Sequence, residues 1–200
     1  MGYITEFAGR FNLDRPLTQE HANYLNRFNQ TRRVKRDVNV IEPLPDPVRL
    51  AVNLPIGIEG EYFVDSDKRD ASVIDYNSPS TSQPGLWCNW KPTSDNRGIE
   101  CDGMEKFYYY TEWLEYLLKN FIVPWGYILN GTVSWQGEDP TDQGEIVVTD
   151  NIIKVMASRK VLRRQKKVLA QQQAIINKML HTFGKEVVVL AKPQPDGTFA

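Results

Sequence analysis

Apolar positions recur at period two near the N-terminus. Tyr3, Thr5, Phe7, Phe11 and Leu13 share one face of an extended 3–13 segment, while Ile4, Glu6, Ala8, Arg10 and Asn12 take the other. That is the pattern of a strand with one buried face. Gly9 within it marks a bulge or the close packing of a helix. The period then changes to helical. Pro16-Leu17-Thr18 reads as a helix start, with Thr18 as cap and Leu17 stapled onto Ala22. The helix runs to about Thr31 and buries Ala22, Leu25 and Phe28. Its basic exit, Arg32, Arg33, Lys35 and Arg36, suits a helix C-terminus or contact with an anion. Across 38–85, five prolines (Pro43, Pro45, Pro47, Pro55, Pro79) interrupt any long element, leaving a short strand at 61–64 and extended chain at 72–76. An irregular stretch of this length is either mobile or part of a binding surface.

Alternation returns at Gly85. The run 85–92 sets Leu86, Cys88 and Trp90 against Trp87 and Asn89, and 98–101 answers it as the second arm of a hairpin. Asp102 with Glu105 forms a capping box for a helix over 103–122. There Phe107, Thr111, Leu114, Leu118 and Phe121 recur at helical intervals beside a stripe of Tyr109, Trp113 and Tyr116, and Pro124 ends the run. A second hairpin joins 126–137 to 145–156 through a polar turn, with both arms rich in β-branched and aromatic residues. From Ser158 to His181 nothing breaks a helix. Val161/Leu162, Val168/Leu169 and Ile175/Ile176 repeat every seven residues there, a coiled-coil-like seam with Gln165 and Gln172 as polar interruptions. A last strand is expected at 185–190.

These elements predict an α+β fold, a mostly antiparallel sheet with helices on one face, in a ferredoxin-like or split βαβ topology. The domain spans 1–156, and 157–200 is a basic helical extension with a short strand and a frayed tail. Composition agrees: 41% hydrophobic and 24% charged residues in 200 suit a globular chain. No apolar run approaches the roughly 20 residues of a membrane helix, and the opening, with Glu6 and Arg10 and no basic flank, is unlike a secretory leader. A cytoplasmic protein is therefore expected. The net charge of −1 divides into about −8 over 1–156 and +7 over 157–200. Cys88 and Cys101 fall in neighbouring strands, where two buried thiols are expected rather than a bridge. With only two His and no CxxC spacing, no metal site or cofactor is expected.

The candidate chemistry is aromatic and acidic. Trp87, Trp90, Glu100, Tyr109, Trp135, Glu138 and Asp139 lie on elements expected to be adjacent and form the candidate ligand-binding surface, with the indoles around a shared hollow. Asp102 and Glu105 share that neighbourhood but already have capping roles. Paired carboxylates beside apolar rings also suit a hydrolase or lyase using Glu100, Asp102 or Glu138. The loop 138–145 has oxygen ligands, but a hairpin turn accounts for them. His21, on the face of Leu25 and Phe28, reads as a packed, hydrogen-bonded residue. No nucleophile elbow or phosphate loop is present. In the tail, Arg159, Arg163, Arg164 and Lys167, among six bases in nine residues, offer contact to a nucleic acid or an acidic partner, or dock the helix on the acidic body or a second copy.

The segments GLWCNW (85–90), IECDGMEKFYYYTEWLEYL (99–117), PWGYILNGTVSWQGED (124–139) and IVVTDN (146–151), with the opening 1–25, resemble an uncharacterised family of small bacterial and bacteriophage proteins. The resemblance covers roughly residues 1–155 and implies a compact α+β fold and an accessory gene, with no catalytic residues to carry over. Cys101 stands where that family would have an aromatic residue, and the helix from Ser158 extends beyond its core. The function expected is a non-catalytic binding protein that holds a small nucleotide-like ligand or a host protein partner, in the host cytoplasm if phage-encoded. The alternatives are the carboxylate enzyme and a nucleic-acid-associated protein using the basic helix. A homo-oligomer through 158–181 is a further candidate.

Overall fold

The computed structural model describes residues 2–64, 69–104 and 106–157, together with Gln173. Along the chain come β1 (Thr5–Leu13), α1 (Gln19–Gln30), β2 (Val34–Arg36), α2 (Val38–Ile41), α3 (Pro47–Ala51), β3 (Val73–Pro79), β4 (Trp90–Pro92), β5 (Gly98–Cys101), α4 (Tyr110–Leu117), β6 (Leu129–Gly137), β7 (Gln143–Thr149) and β8 (Ile152–Ala157). Six strands form one sheet in the order β4-β5-β1-β6-β7-β8, every ladder antiparallel, and β2 pairs separately with β3. The fold is α+β. Among the described residues no helix is long and apolar enough to cross a membrane. The 157–200 extension, with Arg159, Arg163, Arg164, Lys167 and the expected 158–181 seam, lies outside the described residues apart from Ala157 and Gln173.

Alternation along β1 sets the core. Phe11 and Leu13 face inward with Val133 and Trp135 of β6 and Ile146 and Val148 of β7. They bury against Ala22, Leu25 and Phe28 of α1 and Trp113, Leu114 and Leu117 of α4. Each such large side chain contributes about 1.5–3 kcal/mol by leaving water. The other face, with Glu6, Ala8, Arg10, Asn12, Thr132 and Ser134, is exposed. Gly9 marks neither a bulge nor a helix contact. The register runs unbroken through Gly9↔Val133, and at φ +108° a side chain there would lie 2.7 Å from the Thr132 carbonyl of the neighbouring strand.

Thr18 caps α1 as its position predicts, its hydroxyl accepting from the His21 N–H at 3.3 Å. The second long helix starts later than the periodicity indicates, at Tyr110 rather than 103, because Gly103, Lys106 and Tyr109 adopt left-handed backbone (φ +81°, +65° and +57°). It continues past α4 through a wider turn at Leu118–Ile122. The arm 145–156 is two strands. Asp150 and Asn151, both at positive φ, make the tight turn between β7 and β8.

The expected strand at 61–64 is a turn. The partner of its backbone is a guanidinium. Buried Arg33 donates to the carbonyls of Thr31 (3.0 Å), Glu61 (3.3 Å) and Phe63 (2.8 Å) and lies 4.4 Å over the Phe28 ring. Buried Arg36 donates to Asp70 (2.7 Å) and the Ser72 hydroxyl (2.6 Å), and Lys35 pairs with Glu59 at 2.8 Å. The basic exit of α1 thus fastens Glu59, Glu61 and Phe63 on one side and Asp70 and Ser72 on the other.

Candidate functional site

Beside this core lies a cleft of about 930 Å³, walled by the end of α1 (Asn29, Gln30), the end of β3, residues of the 84–89 segment, and Met104, Lys106, Tyr108 and Tyr109. Its walls are held from behind. Asn29 Nδ2 donates to the Cys88 carbonyl at 2.9 Å and to Asp102 Oδ2 at 2.7 Å. The Arg33 N–H donates to the Leu86 carbonyl at 2.9 Å. Arg32 donates through Nε to the Tyr76 carbonyl at 3.1 Å, and its guanidinium stacks 4.5 Å from the Tyr76 ring and 5.8 Å from that of Trp87. Arg32 is not itself part of the lining. It props Trp87, which is 39% exposed in the cleft wall.

Met104, Lys106, Tyr108 and Tyr109, on the loop leaving β5, form a further wall. The Asp102 N–H donates to the Asn89 carbonyl at 2.9 Å, and the Asp102 carboxylate accepts the Met104 N–H at 2.9 Å. The Trp90 indole N–H holds the loop's far end at the Tyr110 carbonyl, 2.7 Å away. Between these anchors Lys106 and Tyr109 adopt left-handed backbone, which costs a side-chain-bearing residue about 1–2 kcal/mol each. Tyr108 and Tyr109 project outward, each more than half exposed, and both line the cleft with Met104 and Leu86. Lys106 supplies the one formal charge among the described lining residues, which include no carboxylate.

Asn89 differs from every other lining residue. It is 5% exposed, its backbone is engaged, and its side-chain amide has no hydrogen-bond partner in the protein. Nor is that amide sealed in the core, because among the described residues the fully enclosed, unpartnered side-chain polar atoms are the indole nitrogens of Trp113 and Trp135. Asn89 lines the cleft.

Of the residues singled out from sequence, Trp87 and Tyr109 meet here. The others do not, and no shared hollow of indoles forms. Trp90 is 1% exposed, edge-on to Phe7, Phe11 and Phe107, and Trp135 is buried beside Tyr110. Both sit on strand positions whose alternation points inward. Glu100 faces away beside Lys91 at 3.9 Å. Glu138 accepts the Ile4 N–H at 3.0 Å, and Asp139 accepts from the N–H and hydroxyl of Thr141 within the β6–β7 turn. Glu100, Asp102 and Glu138 therefore serve three separate partners. His21 stacks on Trp125 (4.0 Å) and meets the Tyr127 hydroxyl through Nδ1 at 2.9 Å, and burial lowers its pKa.

A smaller hollow of about 360 Å³ adjoins at Pro84. Its buried Glu61 carboxylate is already occupied by the hydroxyls of Ser82 and Tyr116 and the N–H of Ile58. Sequence reasoning left out Asn29, Asn89, Met104, Lys106 and Tyr108. The available signal was a lone amide, Asn89, inside an otherwise aromatic and apolar run. Neither a family model, nor a curated protein, nor a solved structure matches this chain.

Proposed function

We propose that the protein binds a small, flat, nucleotide-like ligand in the Trp87 cleft and does not turn it over. One observation carries this reading: an exposed indole, propped by Arg32 and sharing the lining with Tyr108 and Tyr109, lines a cleft whose volume falls in the small-molecule range. Stacking on such a ring is worth about 1–3 kcal/mol per base. Lys106 in the lining and Arg32 behind the indole favour an anionic ligand over a cationic one. The described lining holds no pair of acid and base groups to drive a reaction. We read the sheet order β6-β1-β5-β4, with α1 and α4 in the two crossovers, as a split βαβ, ferredoxin-like frame extended by β7 and β8. The resemblance to bacteriophage accessory proteins suits a protein that captures a host signal molecule.

The test is thermal unfolding against a panel of nucleotides and sugars. A ligand at 100 times its Kd adds about 2.7 kcal/mol, which in a chain of this size raises Tm by about 5–10 °C. Trp87→Ala should abolish the shift while leaving the Tm of the free protein within about 2 °C, because the ring is exposed. A flat response to every nucleotide and sugar would sink the reading.

A further inference from the structure

We propose that Asn89 selects the ligand by pairing with a donor–acceptor edge of its ring, so that the cleft takes the base of a free nucleotide. This rests on the reading of the cleft as a ligand site. The other buried amide, Gln83, donates to the Glu61 carbonyl, and half-buried Asn26, Asn29 and Asn120 are engaged on Ala22, on Cys88 and Asp102, and on Tyr116, whereas the amides of half-buried Asn96 and Gln143 are not. Asn89 is as buried as any of them and has no partner. Withdrawing an amide from bulk water without a partner is unfavourable, so an amide kept in this state at the wall of a cleft points to a partner that arrives from outside.

Placement adds to the chemistry. Cys88 and Trp90 are buried in the core, whereas Trp87 and Asn89, alternating with them, both line the cleft. Two residues along extended chain span about 7 Å. A ring lying on the Trp87 face therefore has its edge within reach of the amide. An amide presents one acceptor and two donor hydrogens side by side. Its complement is an adjacent donor and acceptor, as on the amino and ring-nitrogen edge of adenine or the lactam edge of guanine and uracil. A single lysine in the described lining serves one phosphate and is too little for a strand's phosphate backbone, which favours a mononucleotide.

The experiment is titration of the full chain with AMP, GMP, CMP and UMP, followed by tryptophan fluorescence and calorimetry. Benzimidazole riboside 5′-phosphate is the control, since it keeps the stacking surface and the phosphate and lacks the paired edge. At least one nucleotide should bind about 10- to 100-fold tighter than the control. Asn89→Leu should erase that preference, and Asn89→Asp, which keeps size and one acceptor but loses the donors, should change which base is preferred. Comparison of both variants' Tm with the parent separates lost recognition from lost folding. If the control binds as well as the nucleotides, or if folded Asn89→Leu discriminates like the parent, the role of Asn89 falls while the cleft reading survives. If no probe binds, both fall. Tighter binding of a single-stranded hexamer than of its mononucleotide would overturn the free-nucleotide assignment.

Discussion

Asn29 and Asp102 share a 2.7 Å hydrogen bond that ties the last turn of α1 to the loop leaving β5. The same amide nitrogen reaches the Cys88 carbonyl, so one side chain joins a helix, the approach to β4 and the wall of the cleft. A hydrogen bond to a charged acceptor contributes about 1.5–3 kcal/mol. Asn29→Ala should lower the urea-unfolding free energy by roughly that amount and speed amide hydrogen exchange across 102–104. Asn29→Asp should cost more, because it sets a carboxylate against Asp102. Unchanged stability in both variants would show that the loop is held by other means.

Arg33 holds three carbonyls with one buried guanidinium. Burial lowers its pKa to about 10, so it stays charged at neutral pH. For a base depressed in the folded state, the charged form opposes folding at all pH below that value, and the penalty fades as pH rises above about 10. The stabilising part is the hydrogen bonding. Arg33→Met should therefore cost at least about 3 kcal/mol in denaturant unfolding, since it leaves carbonyls of the 61–63 turn unpaired. Arg33→Lys should recover part of the loss, because an ammonium cannot reach all three with the same fork.

Asp95 should titrate far below an ordinary carboxylate. The Thr93 hydroxyl, the Arg97 N–H and the Arg10 guanidinium at 3.1 Å hold its pKa at about 2. A folded-state pKa below the unfolded value of about 3.9 gives stability that is fully present above about pH 4 and is lost as pH falls through about 2. Carbon-detected NMR titration should place the midpoint near 2. Asp95→Asn should be less sensitive than the parent to acid between those limits. A midpoint near 4 would mean that the hairpin turn does not hold these contacts in solution.

The two thiols should differ sharply in reactivity. Cys88 is fully buried, and burial pushes its pKa up to about 12. Cys101, opposite Trp90 in the β4–β5 ladder, is half-buried and raised by the same cause. In the native protein near pH 8 an aromatic disulfide reagent should modify Cys101 slowly and leave Cys88 untouched, with both reacting at once in guanidinium. Rapid release of two equivalents from folded protein would contradict this packing.

Local chemistry made much of the fold readable in advance. The face of β1, the Thr18 cap and the apolar stripe Leu114, Leu118 and Phe121 depend on neighbours within a few residues, so period and propensity identify them. The Asp150-Asn151 turn is equally local, but apolar residues on both sides hid it in a single apparent strand. The helix expected from 103 had the right period and the wrong start. Its first turn is broken where Asp102 is bound by Asn29 and where the Trp90 indole holds the Tyr110 carbonyl, partners that lie far apart along the chain.

The same division separates the site from the sequence. Composition and alternation were enough to mark an α+β chain rich in aromatic surface and to pick out Trp87 and Tyr109. Only the tertiary structure turned Arg33 inward to the 61–63 carbonyls, left Asn89 without a partner and withheld Glu100 and Glu138 from the cleft. A strand's period states that a residue faces inward or outward. What it faces depends on which distant segments fold across it, and that is decided by long-range packing and hydrogen bonding that no window of neighbouring residues contains.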